Sequence, residues 1–125
     1  MSDDHELKFQ HRPITHIPKP WGYELIFAHT DRYVGKILHI NQGESLSLQF
    51  HEMKEETLYV VDGELKLTIE HDGDRRELML RKGEAFHIPP RLIHRMLAVV
   101  DTDVAEVSTP ELQDVVRLED RYGRA

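Results

Sequence analysis

The feature that most constrains this chain is the rhythm of its middle. From Tyr23 to Ser108, short runs rich in β-branched, Leu and aromatic residues alternate with breaks at Asn41-Gln42-Gly43, Asp62-Gly63, Asp72-Gly73, Lys82-Gly83 and Pro89-Pro90. Gly and Asn accept the positive φ of tight turns and Pro interrupts a ladder, so each break closes a strand. The runs are Tyr23 to Ala28, Tyr33 to Ile40, Ser45 to His51, Thr57 to Val61, Glu64 to Glu70, Arg76 to Leu80, Ala85 to Ile88, His94 to Val100 and Asp103 to Ser108. Many short strands at regular spacing predict an all-β sandwich or barrel.

Alternation within the runs says which side chains share a face, because successive side chains of a strand point opposite ways. Between Ser45 and His51, the residues Leu46, Leu48 and Phe50 fall on one face and Ser45, Ser47, Gln49 and His51 on the other. Glu64 to Glu70 alternates equally cleanly. The flanks read differently. Residues 1–20 are polar and broken by Pro13, Pro18 and Pro20, which predicts an extended N-terminal arm, leaving 21–125 as a single domain. Beyond Ser108, Thr109 is placed to cap and Pro110 to open a short helix or turn carrying Leu112, Val115 and Val116.

Charge and composition exclude several classes of function. Lys and Arg number 16 against 23 Asp and Glu, a net −7 that argues against nucleic acid as partner, since phosphate neutralisation drives such binding. There is no Cys, which removes disulfides, thiolate nucleophiles, thiolate zinc sites and iron–sulfur clusters. No apolar run approaches the ~20 residues of a membrane helix. The acidic Met1 to Gln10 lacks the pattern of a signal or transit peptide, and a cytoplasmic protein with no membrane partner is expected.

What remains is metal chemistry on His and oxygen donors. Nine His is many for this length. Gln49 and His51 point the same way on one strand, Glu56 follows just beyond its end, and His94 opens a later strand after Pro89 and Pro90. If the barrel brings these strands together, Gln49, His51, Glu56 and His94 supply two nitrogens and two oxygens, a set that suits zinc, manganese, iron, cobalt or nickel.

At these residues the chain resembles the cupins. Gly43, His51, Glu56 and Gly63 meet the motif G-x5-H-x-H-x3,4-E-x6-G with Gln49 in the first His position, and Gly83, Pro89 and His94 meet G-x5-P-x-G-x2-H-x3-N, with Arg91 for its Gly and Ala98 for its Asn. The likeness covers roughly 34–108 and implies a double-stranded β-helix, or jelly-roll barrel, paired as a homodimer. The stretch Leu46 to Glu56 further resembles L-S-L-Q-x-H-x-x-R-x-E of phosphomannose isomerases, whose Gln, His and Glu hold metal. Lys19-Pro20-Trp21-Gly22-Tyr23-Glu24, Tyr33 to Lys36, Tyr59 to Gly63 and Asp114 to Arg124 extend the resemblance to the isomerase domain of bifunctional mannose-6-phosphate isomerase/mannose-1-phosphate guanylyltransferases. No Gly-rich nucleotide loop accompanies it, so guanylyl transfer is not expected.

The resemblance implies a metal, zinc first, on Gln49, His51, Glu56 and His94, and a sugar phosphate as substrate. Isomerisation passes a proton between adjacent carbons through an enediol, which a metal beside the oxygens and a nearby base make easier. Lys36 and Arg124 are the candidate catalytic cations, and Lys54 and Arg91 the candidate phosphate contacts; Lys54 stands where the relatives carry Arg and so lacks its bidentate fork. The base is open between His87 and Tyr122. Trp21 and Tyr23 are expected to pack the arm on the barrel, and His39 to be a plain strand residue. His5, His11, His16, His29 and His71 are expected in solvent, as is an acidic face of Glu111, Asp114, Glu119 and Asp120. An iron-dependent cupin oxygenase and a non-catalytic metal- or ligand-binding cupin are the alternatives.

Overall fold

The computed structural model describes residues 11–124, and among them there are eleven strands and no helix. In chain order these are β1 (Thr15–Lys19), β2 (Gly22–His29), β3 (Val34–Ile40), β4 (Leu48–Phe50), β5 (Glu56–Asp62), β6 (Glu64–His71), β7 (Asp74–Arg81), β8 (Ala85–Ile88), β9 (Ile93–Ala98), β10 (Thr102–Ser108) and β11 (Val116–Glu119). They form two antiparallel sheets, β1-β2-β3-β10-β5-β8 and β11-β4-β9-β6-β7. The pairing is nested: β3 with β10, β4 with β9, β5 with β8 and β6 with β7. One long hairpin, with its tip at the Asp72-Gly73 turn, is therefore rolled up across both sheets, the topology of a jelly roll.

The inward faces of the two sheets fill the interior. Leu38, Ile40, Leu58, Val60 and Val104 come from one sheet and Leu65, Leu67, Met96 and Ala98 from the other, all nearly inaccessible to water. Each large side chain of this kind contributes about 1.5–3 kcal/mol by leaving water. The outer face of the five-stranded sheet carries cross-strand ion pairs instead, Lys66 with Glu77 and Arg75 with Glu70. That division explains the clean alternation of Glu64 to Glu70.

Three expectations change. The first ten residues of the arm lie outside the described residues, but Thr15–Lys19 is a regular edge strand in register with β2, Pro18 opposite Tyr23. Pro is tolerated there because an edge strand need not donate on its open side. The turn at Gly22 that follows admits no side chain: a Cβ would sit 1.9 Å from the carbonyl oxygen of His39. The segment after Ser108 makes the expected turns without a helix, and then an unforeseen strand, β11. Thr109 caps no helix, because its hydroxyl accepts the Glu55 N–H at 3.0 Å, and Val116 and Arg117 pair with Phe50 and Gln49. The run from Ser45 to His51 is regular only over Leu48–Phe50, with an isolated bridge from Ser45 to Leu97. Leu46 consequently lies in the same cavity wall as Gln49 and His51 rather than opposite them.

Candidate metal centre

The nested pairing places both arms of the rolled hairpin at one point. Gln49 of β4 lies directly opposite His94 of β9, His51 immediately follows β4, and Glu56 opens β5. The ligand atoms of His51, Glu56 and His94 gather within 4.8 Å of one another. His94 Nε2 stands 3.1 Å and His51 Nε2 3.4 Å from Glu56 Oε1, and all three residues are buried.

The protonation of the rings follows from their other nitrogens. His51 Nδ1 lies 2.5 Å from the carbonyl oxygen of Asp114 and His94 Nδ1 lies 2.9 Å from that of Leu92. A carbonyl only accepts, so each Nδ1 carries the proton, and each Nε2 is left with a lone pair facing Glu56. No hydrogen bond satisfies His51 Nε2, His94 Nε2 or Glu56 Oε1. Three buried acceptor atoms turned toward one another are costly unless a cation sits among them. The donor set and its carbonyl supports fit a divalent metal. Gln49 adjoins the set in the cavity wall, its amide oxygen already accepting the Ser47 hydroxyl at 2.7 Å and keeping a second lone pair.

A buried charge cluster backs the centre. Lys54 Nζ bridges Glu56 Oε2 at 3.3 Å and Glu106 Oε2 at 3.2 Å. For Glu106, burial and then the negative Glu56 prevail over Lys54 and Lys36, and its pKa rises to about 7. Lys54 loses to burial but gains more from its two carboxylates, and its pKa is raised.

Above the centre lies a cavity of about 350 Å³. Its wall carries five cations, Lys19, Lys36, Lys54, Arg117 and Arg124, against two carboxylates, Glu24 and Glu106. Lys36 is buried in the wall, 3.6 Å from Glu24. Arg124 is held by Asp120 through its backbone N–H and two guanidinium bonds of 3.0 and 2.8 Å, which lowers the Asp120 carboxyl and raises the guanidinium. Trp21 is buried and lines the same wall, so it both packs β1–β2 on the barrel and shapes the cavity.

Other candidates are placed elsewhere. Lys54 reaches the cavity with its charge already committed to two carboxylates. Arg91 does not line the cavity: it sits at φ 71° in the turn after Pro90, donates its N–H to the His51 carbonyl at 2.7 Å, and sends its guanidinium into solvent near Glu52. His87 lies exposed against Glu55 at 2.5 Å, and the Tyr122 hydroxyl donates to Glu44, so neither candidate base faces the site. His39 pairs with Asp103 at 2.6 Å and stacks on Tyr23, away from the cavity.

Glu24, Glu106, Lys19, Arg117 and Asp114 went unrecognised in the sequence. For Glu106 the signal existed: it alternates with Thr102, Val104 and Ser108, all buried. Asp114, assigned to a solvated acidic face, instead accepts the N–H groups of Glu52, Met53 and Lys54 at 3.1, 2.7 and 2.9 Å. The Met53 bond leads those that lower its carboxyl.

Comparison with known proteins accords with this geometry. A cupin domain model matches residues 36–109. Mannose-1-phosphate guanylyltransferase of Escherichia coli K12 is 38% identical over 94% of this chain and 25% of its own length. The xanthan biosynthesis protein XanB of Xanthomonas campestris is 31% identical over 85% of this chain and 23% of its own. The chain thus spans about a quarter of the length of these curated relatives. In three dimensions it resembles CapF, a capsular polysaccharide assembling protein of Staphylococcus aureus, with a TM-score of 0.72 at 22% identity over 87% of this chain and 35% of that one. KdgF from Halomonas sp. gives 0.66 at 24% identity, over 80% of this chain and 87% of that one. Nested strand pairing, the His51–Glu56–His94 centre and the matched domain model agree: the chain belongs to the cupin family.

Proposed function

We propose that this chain is a metal-dependent sugar-phosphate isomerase of the mannose-6-phosphate isomerase type, interconverting an aldose and a ketose inside the cupin cavity. The observation that carries the reading is the set of three buried, unsatisfied ligand atoms beneath a wall with five cations and two carboxylates. Counting also the Glu56 and Asp120 carboxylates that pair with Lys54 and Arg124, five cations still face four carboxylates, a local positive balance in a chain of net charge −7 that favours an anion. Kinship over most of the chain with enzymes named for mannose 1-phosphate supports a phosphorylated hexose.

A divalent metal held by His51, Glu56 and His94, with the Gln49 amide oxygen as fourth ligand, supplies polarisation of the sugar's carbonyl and neighbouring hydroxyl when bound. The chain's own side chains do the rest. Isomerisation moves the hydrogen on C2 of the aldose to C1, while the proton on O2 ends on O1. Glu106 faces the cavity, and burial raises its carboxyl above the ordinary range, which suits a group that takes a proton at one carbon and returns it at the next. The Lys36–Glu24 pair offers a donor and an acceptor to sugar hydroxyls. Arg124, fixed in orientation by Asp120, and Arg117 offer planar donors to the phosphate.

The test is conversion of mannose 6-phosphate to fructose 6-phosphate by zinc-loaded protein, wild type against His51→Ala. Turnover that falls at least about 100-fold in the variant supports the reading, since removing a ligand costs more than the ~10–100-fold of losing a partner behind one. Metal-loaded wild type that turns over no aldose phosphate overturns it.

A further inference from the structure

The stretch between β4 and β5 carries His51 at one end and Glu56 at the other, so its shape sets the metal centre. A short irregular connection has backbone N–H groups that need acceptors. Three consecutive ones, on Glu52, Met53 and Lys54, converge on the single carboxylate of Asp114. The backbone carbonyl of the same residue accepts the His51 Nδ1–H at 2.5 Å. One residue, about sixty positions away in the chain, thus makes four bonds to the ligand-bearing stretch. Its neighbours Leu112, Gln113 and Val115 line the cavity.

We infer that Asp114 is a positioning residue of the metal centre, a clasp that binds the C-terminal segment to the ligand stretch and fixes the tautomer and orientation of the His51 ring. The inference rests on the reading of His51, Glu56 and His94 as a metal site. The carboxylate holds residue 114 where its carbonyl meets Nδ1. With that carbonyl in place, Nε2 keeps its lone pair toward Glu56; with the segment released, the Nδ1 proton has no fixed acceptor and the ring can present either nitrogen. His94 takes its carbonyl from Leu92, two residues away on its own element, and does not depend on the clasp.

The experiment compares Asp114→Ala, Asp114→Asn and the control Glu119→Gln in the full chain, by competitive zinc titration and by ¹H–¹⁵N spectra of the histidine rings in the metal-free protein. The expected result is a zinc affinity about 10–100-fold weaker for Asp114→Ala, the usual loss when a partner behind a metal ligand is removed. Asp114→Asn, which keeps one acceptor oxygen, falls in between, and Glu119→Gln matches wild type. In Asp114→Ala the His51 ring becomes a mixture of tautomers while His94 keeps its Nδ1 proton, a pattern that general loss of structure does not produce. Zinc affinity within twofold of wild type, with the His51 ring unchanged, overturns the inference. If wild type takes up no zinc, the metal reading fails, and the His51 tautomer alone then decides whether the clasp orients that ring. If Asp114→Ala does not fold, Asp114→Asn decides on both readouts.

Discussion

Replacing Glu106 with Gln should abolish a specific pH dependence of stability in the metal-free protein. Glu106 is buried, and burial together with the neighbouring Glu56 raises its pKa from 4.5 to about 7. A raised carboxyl binds its proton more tightly in the folded chain than in the unfolded one. Its contribution is therefore complete below pH 4.5 and is lost as the pH rises to about 7, after which nothing further changes. The loss across that window is on the order of 3 kcal/mol, or roughly 10 °C in Tm for a domain of this size. Gln is neutral throughout and still offers an oxygen to Lys54. The measurement is Tm in excess chelator from pH 4.5 to 8 for both proteins, read as the difference between them so that all other titrating groups cancel. That difference should move by about 10 °C in favour of the variant as the pH rises. A difference constant to within about 2 °C would mean that Glu106 is not held as a buried, proton-binding carboxyl.

Lys54→Met leaves Glu56 and Glu106 buried without their shared counter-charge, and should cost about 3–5 kcal/mol in denaturant unfolding; a loss below about 1 kcal/mol would mean that the bridge contributes little. Arg91→Gly relieves a positive φ and removes only an exposed pair with Glu52, so Tm should rise by a few degrees and turnover should stay unchanged. Lost turnover would return Arg91 to the substrate. Arg124→Ala should raise KM for a sugar phosphate at least about tenfold with kcat little altered, whereas an equal fall in kcat alone would remove Arg124 from phosphate binding.

The strands that alternate cleanly were legible because their pattern is local. Glu64 to Glu70 shows buried leucines and outward charges in its own letters. β1 and β11 were not, because both are made by pairing: Thr15–Lys19 is a strand only beside β2, and Val116 only beside Phe50. The helical spacing of Leu112, Val115 and Val116 was outweighed when Thr109 gave its hydroxyl to Glu55. His51, Glu56 and His94 were legible because their separations follow a family motif that encodes the nested pairing. Arg91 looked like a substrate contact by charge alone, but its left-handed turn throws it outward. Asp114 looked solvated because its partners are backbone N–H groups, which no sequence pattern displays.

The central claim is that His51, Glu56 and His94 form a metal centre serving a sugar phosphate, and the most direct measurement is elemental analysis of chelator-stripped protein after reloading with zinc, wild type beside His94→Ala. His94 makes no hydrogen bond through Nε2, and the variant also gives up the Nδ1 bond to Leu92 and a buried ring, so the comparison is made on protein shown to be folded. Stoichiometric zinc is expected in wild type and little or none in a folded His94→Ala. Wild type that retains no metal, or a variant that retains as much as wild type, would contradict it.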